Sequence, residues 1–237
     1  VDKGERIAKV MARAGLCSRR EAETWIHEGR VSVDGAVLAS PAFCVTPENR
    51  IMVDGKPLPQ KAPPRLWLYH KPKGLVTSHK DELGRPTLFE ALPKNLPRVI
   101  SVGRLDLNSE GLILLTNDGE LARQLELPST GWIRTYRVRV HGRVDPQTLK
   151  TLKNGITVEG IHYGSILATL EHQQGDNAWL LVSLKEGKNR EIRRVFEFLG
   201  SPVNRLIRTH YGPYELGTLK PGEIKAVPLP LKLDEER

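Results

Sequence analysis

Apolar and polar positions near the N-terminus follow a helical beat. In GERIAKVMARAGL, Ile7, Val10, Met11 and Ala14 recur three and four residues apart, which predicts a helix that Gly15 stops. CSRREAETWIHEG repeats the beat through Ala22, Trp25 and Ile26 and ends at Gly29. Ser18 and Glu21 stand in S-x-x-E spacing, so the hydroxyl can cap a first-turn amide while the glutamate reaches back. The beat then shortens to two. VSV and AVL flank Asp34-Gly35, a strong hairpin signal, and RIMVDGKPL carries a second Asp-Gly turn at 54–55. Residues 1–60 are therefore expected to fold as a small α-α-β-β-β domain.

Periodicity stops in PLPQKAPPR, where four of nine residues are proline, and residues 61–65 read as a semi-rigid linker. From Leu66 to Arg237 a larger domain is expected. LWLYH, VISVG, LILLT, TYRVRVHG and AWLLVSL predict strands. TLFEALP, GELARQLEL, DPQTLKTLKNG and NREIRRVFEFLG predict helices, the third with Asp145 as its cap and Pro146 in first position. The elements lack the regular βαβ rhythm of a doubly wound sheet, which favours an α+β fold with a mixed, mainly antiparallel sheet.

Composition narrows the function. With 39% apolar and 27% charged residues the chain has the make-up of a folded globular protein, and no apolar run approaches the ~20 residues of a bilayer span. The N-terminal VDKGERIAKV has no apolar core of the signal-peptide kind, and two cysteines, Cys17 and Cys44, are too few for a disulfide framework. A reduced, cytoplasmic setting is the expectation, with no membrane partner. The 36 Lys and Arg against 28 Asp and Glu give a formal charge of +8, which favours a polyanionic partner. Arg6, Lys9 and Arg13 share one predicted helical face, and Arg19 and Arg20 open the next helix, where free amides already attract anions. Residues 1–64 nonetheless hold ten basic against eight acidic side chains, so a merely solvated face is an equal reading.

Several chemistries lack support. The seven histidines are scattered, no Cys-x-x-Cys exists, and Walker A, G-x-G-x-x-G and G-x-S-x-G motifs are absent. No metal and no cofactor are expected. What remains is an acid in a basic setting. In GRLDLNSEGLILLTNDG, Asp106 follows Arg104 by two; on an extended strand both would project from one side, and the guanidinium would keep the carboxylate ionised. Such a carboxylate can act as nucleophile or base, or simply form an ion pair at a strand end. In KEGKNREIRRVFEFLG, Lys188, Arg190, Arg193 and Arg194 crowd a helix start, where cations oppose the helix dipole unless an anion lies nearby. Tyr136 in RTYRVRV could stack on a base or sit in the core.

Together these segments resemble the ribosomal-RNA pseudouridine synthases of the RsuA type, over nearly all of residues 66–231. G-R-L-D, a small hydroxyl residue, Gly, an aliphatic run and an Asx-Gly turn match the family signature, with Ser109 where many members have Thr. AGLCSRREAETWIHEGRVSVDG resembles an S4 domain, an RNA-binding module also found in a ribosomal protein. The resemblance implies that Asp106 is catalytic, that Arg104 assists nucleotide flipping, that Tyr136 packs on the target base and that Arg193 pairs with Asp106, with Arg190 and Arg194 close in sequence. It implies RNA contacts from Arg6, Lys9, Arg13, Ser18, Arg19, Arg20, Lys71, Lys73, Lys188, Arg190 and Arg194. The expected reaction isomerises uridine in ribosomal RNA, with RLDLNSEGL leaning toward the large subunit. The expected partner is ribosomal RNA or a pre-ribosomal particle, and a monomer is expected. A non-catalytic assembly factor would need the same charge and the same N-terminal module.

Overall fold

The computed structural model describes residues 4–230. The chain divides into two compact units. Among the described residues, one holds 4–64 together with Leu96–Val99 and Asn117–Gly119; the other holds Arg65–Asn95, Ile100–Thr116 and 120–230.

The first unit runs β1 (Glu5–Arg6), α1 (Ile7–Arg13), α2 (Arg19–His27), β2 (Val31–Val33), β3 (Ala36–Val37), β4 (Cys44–Val45), β5 (Ile51–Val53) and β6 (Lys56–Pro57). Ile7, Met11, Ala22 and Ile26 from the helices pack with Val31, Val33, Ile51 and Val53 from the strands. Ser18 caps α2, its hydroxyl accepting from the Glu21 amide at 3.0 Å. Both Asp-Gly pairs turn hairpins with positive φ at each residue, 51° and 86° at 34–35, 50° and 77° at 54–55, the geometry that matches strand twist. Strands order β3-β2-β5-β6, and β1 pairs separately with β4. That small pair was not expected, and it corrects the basic face. Arg6 lies in β1 rather than on the helix, while Lys9 and Arg13 both converge on Glu5, at 3.4 and 2.9 Å.

The second unit is built on a nine-stranded sheet. Its elements are β7 (Leu66–Lys71), β8 (Ile100–Val102), β9 (Ser109–Thr116), α3 (Gly119–Glu126), β10 (Arg134–His141), α4 (Pro146–Thr151), β11 (Ile156–Val158), β12 (Ile161–Tyr163), β13 (Ile166–Gln174), β14 (Asn177–Leu184), α5 (Glu191–Phe198), β15 (Val203–Tyr211), β16 (Tyr214–Glu215) and β17 (Ile224–Val227). The path is β13-β14-β10-β15-β9-β7-β17, with β16 on β15 and β8 on β9, while β11 and β12 form their own hairpin. The sheet is mixed and mainly antiparallel: among the described residues β9 and β15 are its only parallel strand pair. Two clusters make the core. Val138, Val140, Leu180 and Val182 pack with Leu149 of α4 and Ile192, Val195 and Phe196 of α5. Leu66, Leu68, Leu112 and Leu114 pack with Leu121 and Leu125 of α3.

TLFEALP is not a helix. Thr87 and Glu90 exchange the bonds of a capping box, at 3.3 and 3.5 Å, but only three-residue turns follow, Ala91 to Leu88 and Leu92 to Phe89. Pro93 bars the helical region to Leu92, so the start has nothing to continue into. The expected helix over 145–155 is α4 with a short 3₁₀ turn after it, capped by Asp145 on the Gln147 amide at 3.0 Å.

Candidate active site

The site forms where the parallel seam opens. β8 ends at Val102, and Gly103, at φ +70°, turns the chain out of the sheet. Leu105 goes inward and Asp106 is left half-buried, its side chain 35% exposed. The loop is fastened from two sides. The Thr77 hydroxyl donates to the Leu105 carbonyl at 2.9 Å and accepts from the Leu105 amide at 3.3 Å. Lys71 is wholly enclosed, and its ammonium donates to the carbonyls of Ser109, Pro72, Asp106 and Leu107 at 2.8, 3.1, 3.1 and 3.4 Å. Burial pulls its pKa down to about 8, partly countered by the charges of Asp106 and Glu110.

Gly111 explains the next step of the motif. Its φ is +106°, and a Cβ there would overlap the carbonyl oxygen of Arg208 on the parallel strand. The glycine lets β9 approach β15 closely, with Arg208 directly opposite in register. Arg208 is buried, and its Nε donates to the Leu112 carbonyl at 2.8 Å. The Arg208 and Arg134 guanidiniums lie 5.0 and 5.1 Å from the centre of the Tyr211 ring.

From the far side comes the start of α5. Arg190 takes the left-handed conformation, φ +52°, and its Nη1 reaches Asp106 Oδ2 at 3.0 Å. Arg193, one turn on and far less exposed, places Nε 3.8 Å from the same oxygen, an ion pair too long for a hydrogen bond, while Nη2 donates to Ser109 Oγ at 3.2 Å. Burial and then the Arg190 charge depress the Arg193 pKa, partly offset by Asp106. Two guanidiniums thus share one carboxylate and leave the cleft short of negative charge.

A cleft of about 680 Å³ lies over this centre. Its wall carries six cationic side chains, Arg104, Arg134, Lys188, Arg190, Arg193 and Arg208, against the four carboxyls of Asp106, Glu126, Glu186 and Glu191. Tyr136 of β10 lines it, nearly buried, and Thr77 and Ser109 supply hydroxyls. Such a cleft can receive an anionic ligand, lay a flat ring near Tyr136 and present a carboxylate to it.

Several residues stand differently from expectation. Arg104 is exposed on the cleft wall, but the strand ends before it, and the ion-pair partners of Asp106 are Arg190 and Arg193. Lys71 cannot contact RNA, because its ammonium is spent on four carbonyls inside the protein. Lys73 is exposed, and Arg194 is exposed on α5 outside the cleft lining. Lys188 donates to the His162 carbonyl and lies 3.7 Å from Glu186. Arg6, Arg19 and Arg20 are exposed in the first unit, and the Ser18 hydroxyl is engaged as a helix cap. Sequence reasoning passed over Thr77, Arg208 and the Glu186–Glu191 pair. Only Arg208 had a signal, the glycine within a strand pattern that marks close backbone approach. Among the described residues no group of three or more His, Cys, Asp or Glu side chains is placed to hold a metal, and no helix is long and apolar enough to cross a membrane.

Residues 65–198 match the RNA pseudouridylate synthase family, and residues 5–57 match the S4 domain. The chain belongs to the RNA pseudouridylate synthase family. An uncharacterised RNA pseudouridine synthase of Rickettsia felis is 52% identical, covering 94% of this chain and 96% of its own length. Ribosomal large subunit pseudouridine synthase B of Salmonella typhi is 44% identical over 90% of this chain and 75% of its own, and that of Yersinia pestis 43% over 90% and 69%. A crystal structure of a pseudouridylate synthase superposes with a TM-score of 0.66 at 26% identity, covering 95% of this chain and 96% of the other. Asp106, Tyr136, Arg190 and Arg193 all fall within the matched residues 65–198.

Proposed function

We propose that the protein isomerises a uridine to pseudouridine in ribosomal RNA, of the large subunit, with Asp106 as the catalytic residue. The observation that carries this is the carboxylate of Asp106, held on a pinned loop and faced by Arg190 and Arg193 in a cleft with excess positive charge. The large-subunit assignment is supported by the 44% identical ribosomal large subunit synthase.

A stacked base cannot turn, so the nucleotide is extruded into the cleft at a cost of roughly a few kcal/mol. Phosphate contacts from Lys73, Arg19, Arg20 and the cleft arginines offset it, and Arg104, exposed at the rim, takes the place of the departing base. Tyr136 packs on the uracil. The N1–C1′ bond breaks and uracil leaves as an anion whose own carbonyls hold the charge, so one carboxyl suffices where a glycosidase uses two. Asp106 acts at the ribose, by attack at C1′ or by removal of the C2′ proton. The ring turns, C5 bonds to C1′, the C5 proton is lost to solvent and N1 regains one. Atoms balance without a redox cofactor. The protein is expected to act as a cytoplasmic monomer.

The test is tritium release from unmodified ribosomal RNA labelled at uridine C5. Wild type should release label, while Asp106→Asn should release none and keep RNA affinity within a few-fold. Turnover by Asp106→Asn would refute the assignment; RNA binding without release by wild type would leave an assembly factor. A large primary C2′ deuterium isotope effect on single turnover marks the proton route, and no more than a small secondary effect marks attack at C1′.

A further inference from the structure

We propose that Glu186 and Glu191 form a proton-sharing carboxyl pair that staples the loop between them and so holds Arg190 on Asp106. This rests on the functional reading above. Glu191 is the first residue of α5 and 4% exposed, and among the described residues neither of its carboxyl oxygens accepts a hydrogen bond of ordinary geometry, the Lys188 amide being only a weak donor to it. The carboxyl it couples to is that of Glu186, which lines the same wall of the cleft. Glu186 is itself anchored, with Oε1 accepting from the Gly164 amide at 2.6 Å and Oε2 3.7 Å from the Lys188 ammonium. Two carboxylates so coupled cannot both stay ionised, so one proton must sit between them. Burial, then Glu186, push the Glu191 pKa up to about 8, whereas its hydrogen bond with Glu191, and then the Gly164 amide, pull Glu186 down. The proton belongs to Glu191 and is donated to Glu186.

The loop this pair closes is strained. Between the two glutamates run Gly187, Lys188, Asn189 and Arg190, and Arg190 holds φ +52°, a region that a side chain enters only when its surroundings enforce it. The Glu191 amide bonds back to the Lys188 carbonyl at 3.1 Å and Lys188 reaches the His162 carbonyl, so the staple closes over the left-handed residue. Arg190 is thereby delivered to Asp106.

The charged groups acting on Glu191 are Glu186 and Lys188. Of the strands packed on α5, β11 carries no titratable residue. β15 directs Arg205 to Glu110, Arg208 to the Leu112 carbonyl and His210 toward Glu215. Proton-linked behaviour here therefore belongs to the pair. A folded pKa raised from 4.5 to about 8 means the native state binds more protons than the unfolded state in that window. Stability from the pair is full at low pH and is lost as pH rises through about 8.

The experiment compares wild type, Glu191→Gln and Glu191→Ala from pH 5 to 9 in denaturant melts and in single-turnover tritium release. Gln donates permanently to Glu186. It should rescue the neutral-pH rate to within about threefold, remove the decline of stability between pH 5 and about 8 and abolish the fall in rate above pH 8. Ala should lose about tenfold or more in rate below pH 7, with the gap to wild type narrowing by pH 9 and RNA affinity within threefold. An unchanged alkaline limb in Glu191→Gln, or a wild-type rate in Glu191→Ala below pH 7, would overturn the proposal. The melts read the pair whether or not RNA is turned over, so flattened melts in a chain that releases no tritium would uphold the pair while refuting the synthase reading.

Discussion

Replacing Lys71 by Met tests whether the Asp106 loop is held from beneath. The side chains are of similar length and shape, so the change removes an ammonium and little else. Four contacts are lost, at 2.8 to 3.4 Å, but an ammonium has only three protons, so at about 1.5 kcal/mol net per bond from a charged donor they sum to about 4.5 kcal/mol. Two of the carbonyls keep another donor: that of Asp106 accepts from the Ser109 amide at 3.0 Å and that of Leu107 from Gly74 at 2.8 Å. Against the loss stands relief, because a lysine pKa lowered from 10.5 to about 8 says that enclosure disfavours the charge by about 3 kcal/mol. The balance is a destabilisation of about 1.5 kcal/mol, read from urea melts. The sign with pH follows. Between pH 8 and 10.5 the unfolded wild type binds more protons than the folded, so wild-type stability gains a rising component there that Lys71→Met lacks. Turnover should fall at least about a hundredfold as Asp106 loses its placement, with RNA affinity unchanged within twofold. A tenfold loss of affinity with turnover intact would mean that the ammonium reaches phosphate, and the enclosure argument would be wrong.

Three further outcomes are expected. Gly111→Ala should destabilise the second unit by more than about 3 kcal/mol in the same melts, since its Cβ collides with the Arg208 backbone at φ +106° and neither strand can yield. Arg193→Ala should cost more in turnover than Arg190→Ala, because Arg193 is the more enclosed and also holds Ser109, whereas Arg190 is half exposed; single-turnover rates decide, and the reverse order would make Arg190 the principal partner. Arg19→Ala with Arg20→Ala should weaken RNA binding and reduce the slope of log affinity against log salt by about two, and an unchanged slope would place the S4 contacts elsewhere.

The first unit was legible because its signals are local. Ser18, Gly29 and the two Asp-Gly pairs each dictate backbone geometry within four residues, and the structure uses them as written. The site was legible only in part. Asp106 stood out because the motif around it is contiguous, but its partners lie 84 and 87 residues away on another element, beyond any periodicity. The pairing of Arg104 with Asp106 rested on their spacing of two along an expected strand, and a single glycine ended that strand. Lys71 looked like one more basic residue, since enclosure depends on which carbonyls fold back around it. β15 went unread for a related reason: Arg205 and Arg208 break its apolar alternation, and one of them is buried.

The parallel seam between β9 and β15 also sets a clock. Antiparallel neighbours such as β13 and β14 can zip from a tight turn as soon as they exist, whereas β9 must wait for a strand nearly a hundred residues further along. During synthesis from the N-terminus the S4 module and the GRLD loop emerge early, yet Asp106 stays unaccompanied until Arg190 and β15 have been made. On the proposed function, the RNA contacts of the S4 module form before the catalytic centre, which is complete only once β15 has been made.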